Sequence, residues 1–159
     1  MTESDEQIQQ FWQTFVRSAA CPPGVKEDQA PPAGSFGDNP ELANRLGRLV
    51  YDGVKTATCS ALWEWEYDGD PLPKVGDLEI VVDGENSPLC ITEVTSVEIK
   101  PFNEVDADFA YAEGEDERTL AAWRGAHWRY FSRVLPRIGR TPEETMPLVC
   151  VRFRVLLKV

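Results

Sequence analysis

Apolar positions recur at helical spacing in three stretches of the chain and alternate at strand spacing in much of the rest. Ile8, Phe11, Trp12, Phe15 and Val16 follow Ser4-Asp-Glu-Gln7, which has the form of a capping box, so a helix with one aromatic face is expected up to Pro22-Pro23-Gly24. Asn39 as N-cap and Pro40 at the first helical position start a second helix, with Leu42, Leu46, Leu49 and Val50 as its stripe and Gly53 as its stop. A third helix is expected from a cap at Asp116 or Thr119 to about Leu135, with Leu120, Trp123, His127, Phe131 and Val134 on one side. Residues 56–65 read as extended, with Trp63, Trp65 and Tyr67 alternating onto one face. Leu78 to Asp83 and Leu89 to Ile99 form an antiparallel pair around Asp83-Gly84, and Leu148 to Val159 a long final strand.

The 159 residues suit one domain, long enough to bury roughly two thirds of its unfolded surface. Within it the expected divisions are an N-terminal helix over 1–20, a proline-rich surface connection over 21–35 and the main body over 36–159. No apolar run approaches the ~20 residues of a membrane span. The first residues are acidic where a signal peptide would be basic and then apolar, so a cytoplasmic protein is expected. Cys21, Cys59, Cys90 and Cys150 lie far apart without a Cys-x-x-Cys pair and read as reduced core residues, not as zinc ligands or a disulfide framework.

A net charge of −11 argues against an indiscriminate grip on nucleic acid, because polyanion binding draws most of its affinity from neutralising phosphates. The distribution matters more: residues 1–35, 36–117 and 118–159 carry −3, −15 and +7. The basic last quarter permits a local phosphate-binding surface, and a solvated helix face explains it equally well.

The candidate chemistry centres on Gly53-Val-Lys-Thr-Ala-Thr-Cys-Ser60, a junction between helix and strand. Lys55 and Thr58 are three apart, so a loop turning between them can aim an amine and a hydroxyl at one ligand; surface charge with turn chemistry is the plainer alternative. Alternation from Leu89 puts Glu93 among apolar positions, where a carboxylate needs a cation or hydrogen bonds, as a site residue or in a structural pair. Trp63 is either core or a ring on which a base stacks. His127, the only histidine, reads as a hydrogen-bonded core residue or a catalytic one, and a nuclease using paired histidines is excluded. The run from Glu104 to Glu117 reads as a solvated loop; it offers oxygen ligands to a divalent ion without EF-hand spacing, and no other cofactor is called for.

An ordered set of motifs adds to this. Phe36-Gly-Asp-Asn-Pro-Glu-Leu42, Gly53-x-Lys55-Thr-Ala-Thr58, Ser60-Ala-Leu-Trp-Glu64, Leu72-Pro-x-x-Gly-Asp77, Pro101-Phe-Asn-Glu-Val105, Phe109-Ala-x-x-Glu-Gly114, Trp123-Arg-x-x-His127 and Arg152-Phe153 together resemble the ASCH domain family, above all its longer bacterial members. The resemblance implies an α+β fold: a small PUA-like β-barrel with flanking helices, here with an added N-terminal helix. It also implies a cleft lined by the Gly-x-Lys-x-x-Thr segment and RNA or a modified nucleoside as partner; the short apolar runs argue against a membrane partner, and the oligomeric state is left open. Members include ribonucleases and a hydrolase that deacetylates N4-acetylcytidine. Carried onto this chain, Lys55, Thr58 and Glu93 are the expected catalytic set, and Ser60, Trp63, Arg129 and Ser132 the expected substrate contacts. For amide hydrolysis Lys55 would deprotonate Thr58 while Glu93 orients the amide or protonates its leaving nitrogen. For cleavage of single-stranded RNA Lys55 would offset the phosphorane charge and Glu93 would act on the 2′-hydroxyl. A non-catalytic reader of RNA or nucleotides is the third expectation.

Overall fold

The computed structural model describes residues Met1–Val159. The chain divides into two compact units, one made of Met1–Gly53, Gly76–Glu93 and Arg154–Val159, the other of Val54–Val75 and Val94–Phe153. In order along the chain come α1 (Glu3–Val16), β1 (Ala33–Gly34), α2 (Pro40–Tyr51), β2 (Ala57–Ala61), α3 (Leu62–Asp68), β3 (Leu78–Val82), β4 (Pro88–Pro101), α4 (Ala107–Glu113), α5 (Leu120–Val134) and β5 (Pro147–Lys158).

In the first unit, the capping box of α1 starts two residues before the expected one. Thr2 accepts from the Asp5 backbone N–H and the Asp5 carboxylate accepts from the Thr2 N–H, with Glu3, Asp5 and Glu6 favourably placed near the helix N-terminus. Trp12 and Phe15 are buried against Ile80, Val82 and Ile91. The Trp12 indole donates to Glu27 O at 2.8 Å, tying the proline-rich segment to the helix. That segment is not a plain surface connection throughout, since its end forms β1, parallel to Ile80 and Val81 of β3. α2 starts as expected, with the Asn39 side chain accepting from Leu42 N at 2.9 Å and Pro40 in the first turn. Asn39→Ala is expected to lower stability by about 1 kcal/mol, read from urea midpoints, because an N–H of the first turn loses its acceptor. β3 and β4 pair antiparallel through Ile80 and Ile91, and Asp83 Oδ1 closes the turn by accepting from Glu85 N and Ser87 N.

In the second unit, β2 pairs antiparallel with β5, from Ala57 opposite Arg152 to Ala61 opposite Leu148. β5 begins at Pro147, which has no N–H to offer, so the ladder ends at Ala61 and the chain turns into α3. The expected extension through residue 65 is therefore corrected, and Trp63, Trp65 and Tyr67 stand on a helix, where residues two apart do not share a face. Trp63 packs on the core, Trp65 donates to Ser60 Oγ at 2.7 Å, and Tyr67 is exposed. The acidic stretch is likewise more than a loop: it contains α4, capped by Asp106, and its Phe109, Ala110, Ala112 and Glu113 are buried. Thr119 caps α5, which buries Trp123, His127, Phe131 and Val134.

The strand order is β1-β3-β4-β5-β2, with β1 parallel to its neighbour and β2 and β3 in antiparallel pairs. This mixed sheet is open, and the expected β-barrel is corrected. Closure requires each strand to be paired on both sides; β1 is two residues long, and β2 gives way to a helix where an edge-closing strand would have to continue. The fold is α+β with an open sheet and flanking helices.

Candidate functional site

The second unit holds a group of buried charges. Lys55 follows α2 by a few residues and is 1% exposed. Its Nζ donates to Ala57 O at 2.9 Å and Glu113 O at 3.4 Å, and lies 3.3 Å from Glu113 Oε1 and 2.9 Å from Glu115 Oε2. The backbone brings these segments together, since Thr56 N donates to Ala112 O at 2.7 Å. Glu113 is the last residue of α4, and Gly114 ends that helix in the left-handed region at φ 70°. A Cβ on Gly114 would stand 2.5 Å from Val54 O, so only glycine lets the two segments approach this closely.

The other Glu113 oxygen, Oε2, accepts from the Trp123 indole N–H, faces His127 Nε2 at 3.0 Å and is 3.6 Å from Cys59 Sγ. His127 Nδ1 lies 2.9 Å from Trp123 O. A carbonyl and a carboxylate only accept, so both contacts are hydrogen bonds when both ring nitrogens carry protons, the imidazolium form. It stacks on Trp123 with ring centroids 4.3 Å apart. The charges of Lys55, His127, Glu113 and Glu115 then cancel.

The protonation equilibria follow from this packing. Burial alone would raise the Glu113 carboxyl, but Lys55, His127 and the Trp123 donor outweigh it and hold the group at about 2. Burial alone would lower His127 and Lys55; Glu113, with Glu115, instead raises both above their ordinary values. Burial, reinforced by Glu113, pushes the Cys59 thiol well up, so Cys59 is a neutral donor and not a thiolate nucleophile.

Cys59, Glu113 and His127 each present one donor atom within 4.8 Å of the others, a sulfur, oxygen and nitrogen set that a divalent ion such as zinc would accept. Those atoms already hydrogen-bond among themselves, and Glu113 also faces an ammonium.

The other residues expected from sequence belong to both units. Thr58, half-buried on β2 opposite Val151, and Ser60 alternate with Cys59, which places them on the other face of the strand. Glu93 lies in the first unit, its Oε1 held by Arg154 Nε at 3.0 Å and by an Arg154 terminal nitrogen at 2.8 Å. The Arg140 guanidinium lies over Trp63, 4.3 Å from the ring centroid. Arg129 and Ser132 are exposed on α5, and Ser132 Oγ donates to Trp128 O at 2.7 Å. Glu113 and Glu115 read from sequence only as parts of a solvated loop or of a family motif, and Cys59 and Trp123 only as core residues. Glu113 carries one signal once α4 is known: a glutamate in the last turn of a helix, just before its glycine stop, sits where the helix dipole disfavours a carboxylate, and so calls for a specific cation.

An open α+β sheet carries a lysine at a helix-to-strand junction, joined to the buried Glu113 at the end of α4 and to the half-buried Glu115 just beyond it. The chain matches the ASCH domain family over residues 32–157 and belongs to it. Among solved structures it is similar to an ASCH domain from Lactobacillus crispatus, with 34% identity, a TM-score of 0.85 and 95% of this chain covering 94% of that one. It is also similar to protein EF3133 from Enterococcus faecalis, with 38% identity, a TM-score of 0.83 and 94% of this chain covering 88% of that one. No curated protein matches it. No helix is long and apolar enough to cross a membrane.

Proposed function

We propose that the protein is a ribonuclease acting on single-stranded RNA, with the Lys55 ammonium as the fixed cation of its centre. The observation that carries this reading is that two carboxylates, Glu113 and Glu115, hold Lys55 in its charged form. Attack of a ribose 2′-oxygen on phosphorus, its proton passing to water, with loss of the 5′-oxygen, which takes a proton from water, builds negative charge on the phosphoryl oxygens, and a preorganised cation offsets it. Amide hydrolysis by the same lysine would need the neutral amine to take a proton from Thr58, the form that Glu113 and Glu115 disfavour. In this reading Glu113 is the acid that fixes Lys55, and His127 fixes Glu113 in turn. Thr58, Ser60, Trp63, Arg129 and Ser132 are the proposed contacts for the nucleotide chain, the exposed Arg129 for its phosphates.

The test is incubation with an end-labelled unstructured RNA oligonucleotide and, separately, with N4-acetylcytidine, each with and without chelator. The parent protein should shorten the RNA and release no acetate, and Lys55→Met should cut at least about 100-fold more slowly. Acetate release, or RNA cleavage by Lys55→Met at the parent rate, would overturn the assignment.

A further inference from the structure

We propose that the place beside Lys55 now taken by the Glu115 carboxylate is a subsite for one phosphodiester group, that Glu115 holds it as a displaceable stand-in, and that Arg118 is its second cation. The inference rests on reading Lys55 as the cation of the site and adds to that reading the way a polymer reaches a lysine that is 1% exposed.

Among the four contacts of the Lys55 ammonium named above, Ala57 O and both Glu113 oxygens belong to buried residues, whereas the Glu115 side chain is 19% exposed. Glu115 therefore covers the side of the ammonium that faces water. The segment carrying it is unusual, since Asp116 at φ 53° and Arg118 at φ 60° are non-glycine residues in the left-handed region. Such conformations persist where surrounding contacts impose them, and here Arg118 supplies the contacts. Its Nε donates to Tyr111 O at 3.0 Å, its terminal nitrogen donates to Val54 O at 3.3 Å, and the guanidinium lies 3.5 Å from the Tyr111 ring centroid. All three partners are neutral. Arg118 is thus a half-buried guanidinium held next to the residue that precedes Lys55, and its contacts leave its positive charge uncompensated.

Charge identifies the ligand. Glu115 is a monoanion, and the four buried and half-buried charges cancel only while one monoanion stands beside Lys55. A phosphodiester is also a monoanion, so exchanging it for the carboxylate preserves that balance, whereas a phosphate dianion leaves one negative charge in excess near Glu113. The exchange needs only the Glu115 side chain to swing into the solvent it already touches.

A short oligothymidylate tests this, because it carries phosphodiesters but no 2′-hydroxyl and is not turned over. Binding would be followed by anisotropy of the labelled oligonucleotide for the full chain, Glu115→Gln, Glu115→Ala and Glu115→Gln/Lys55→Met, each checked by its melting curve. Glu117→Gln, an exposed neighbour with the same change of charge, is the control. Removing the stand-in should tighten binding about 10-fold, against less than about 2-fold for Glu117→Gln. Adding Lys55→Met should abolish the gain. Equal effects of Glu115→Gln and Glu117→Gln, or a gain that survives Lys55→Met, would overturn the subsite. Tight binding by Glu115→Gln together with failure of the parent to cut RNA would leave the subsite standing and remove the ribonuclease reading.

Discussion

Glu113→Gln is expected to lower the free energy of unfolding by about 3–5 kcal/mol, measured from urea denaturation near pH 6, a loss typical of removing one partner from a buried ion pair. The size follows from what the carboxylate serves. Its two oxygens meet the Lys55 ammonium, the His127 ring, the Trp123 indole and the Cys59 thiol, and Glu113 and Lys55 are each 1% exposed. An amide keeps the shape and an acceptor, but it leaves Lys55 with Glu115 as its counter-charge and gives His127 an uncharged neighbour. Lys55→Met should be damaging for the mirror reason, since it leaves Glu113 with only His127. The double variant Lys55→Met/Glu113→Gln should lose less than the two single losses together, because each single change strands a charge that the second removes. Additive losses would mean that the two side chains are not energetically coupled.

Stability should peak between about pH 4.5 and 6.5 and fall on both sides, for two separate reasons. Glu113 has an ordinary value of 4.5 and is held at about 2 in the folded chain, where Lys55 and His127 overcome the effect of burial. The stability it contributes is complete above about 4.5 and is lost as pH falls towards 2, a difference on the order of 3 kcal/mol. His127 runs the other way. Its value is raised from 6.5 by Glu113, against burial, so its contribution is complete below 6.5 and disappears as pH rises through the folded value. Urea midpoints taken below, within and above this range should trace that dome. His127→Gln should flatten the alkaline limb and shrink, without abolishing, the acid limb that Lys55 still supports, whereas an alkaline limb that persists in His127→Gln would assign it to another group.

The parts of the fold that were legible from sequence were those set by local chemistry. Asn39-Pro40 marks the start of α2 and the apolar stripe of α5 gives its buried face; both depend on residues within a few turns of one another. Leu62-Trp-Glu-Trp-Glu-Tyr-Asp misleads because its alternation matches a strand, and what decides against one is the end of the partner strand at Pro147, far along the chain. The closed barrel came from family resemblance, and strand ends that do not meet are a property of tertiary pairing that local patterns do not carry. At the site, Lys55 was legible because a lysine between a helix stop and a strand start is conspicuous. Its acid was not, because 58 positions separate Lys55 from Glu113. They meet through the Thr56 to Ala112 hydrogen bond and the glycine that follows Glu113. Glu93 stood out for the sound reason that a carboxylate on an apolar strand face needs a cation, and that cation is Arg154.

His127 is the only histidine in the chain, so its ring resonances can be assigned without ambiguity. A nitrogen-15 and proton spectrum of the full chain at pH 7 should show both ring nitrogens protonated, the imidazolium state that the Glu113 and Trp123 acceptors demand, and Glu113→Gln should return the ring to the neutral form. A neutral ring in the parent protein, or an imidazolium that persists when the Glu113 charge is removed, would contradict the linked Lys55, Glu113 and His127 system on which the account stands.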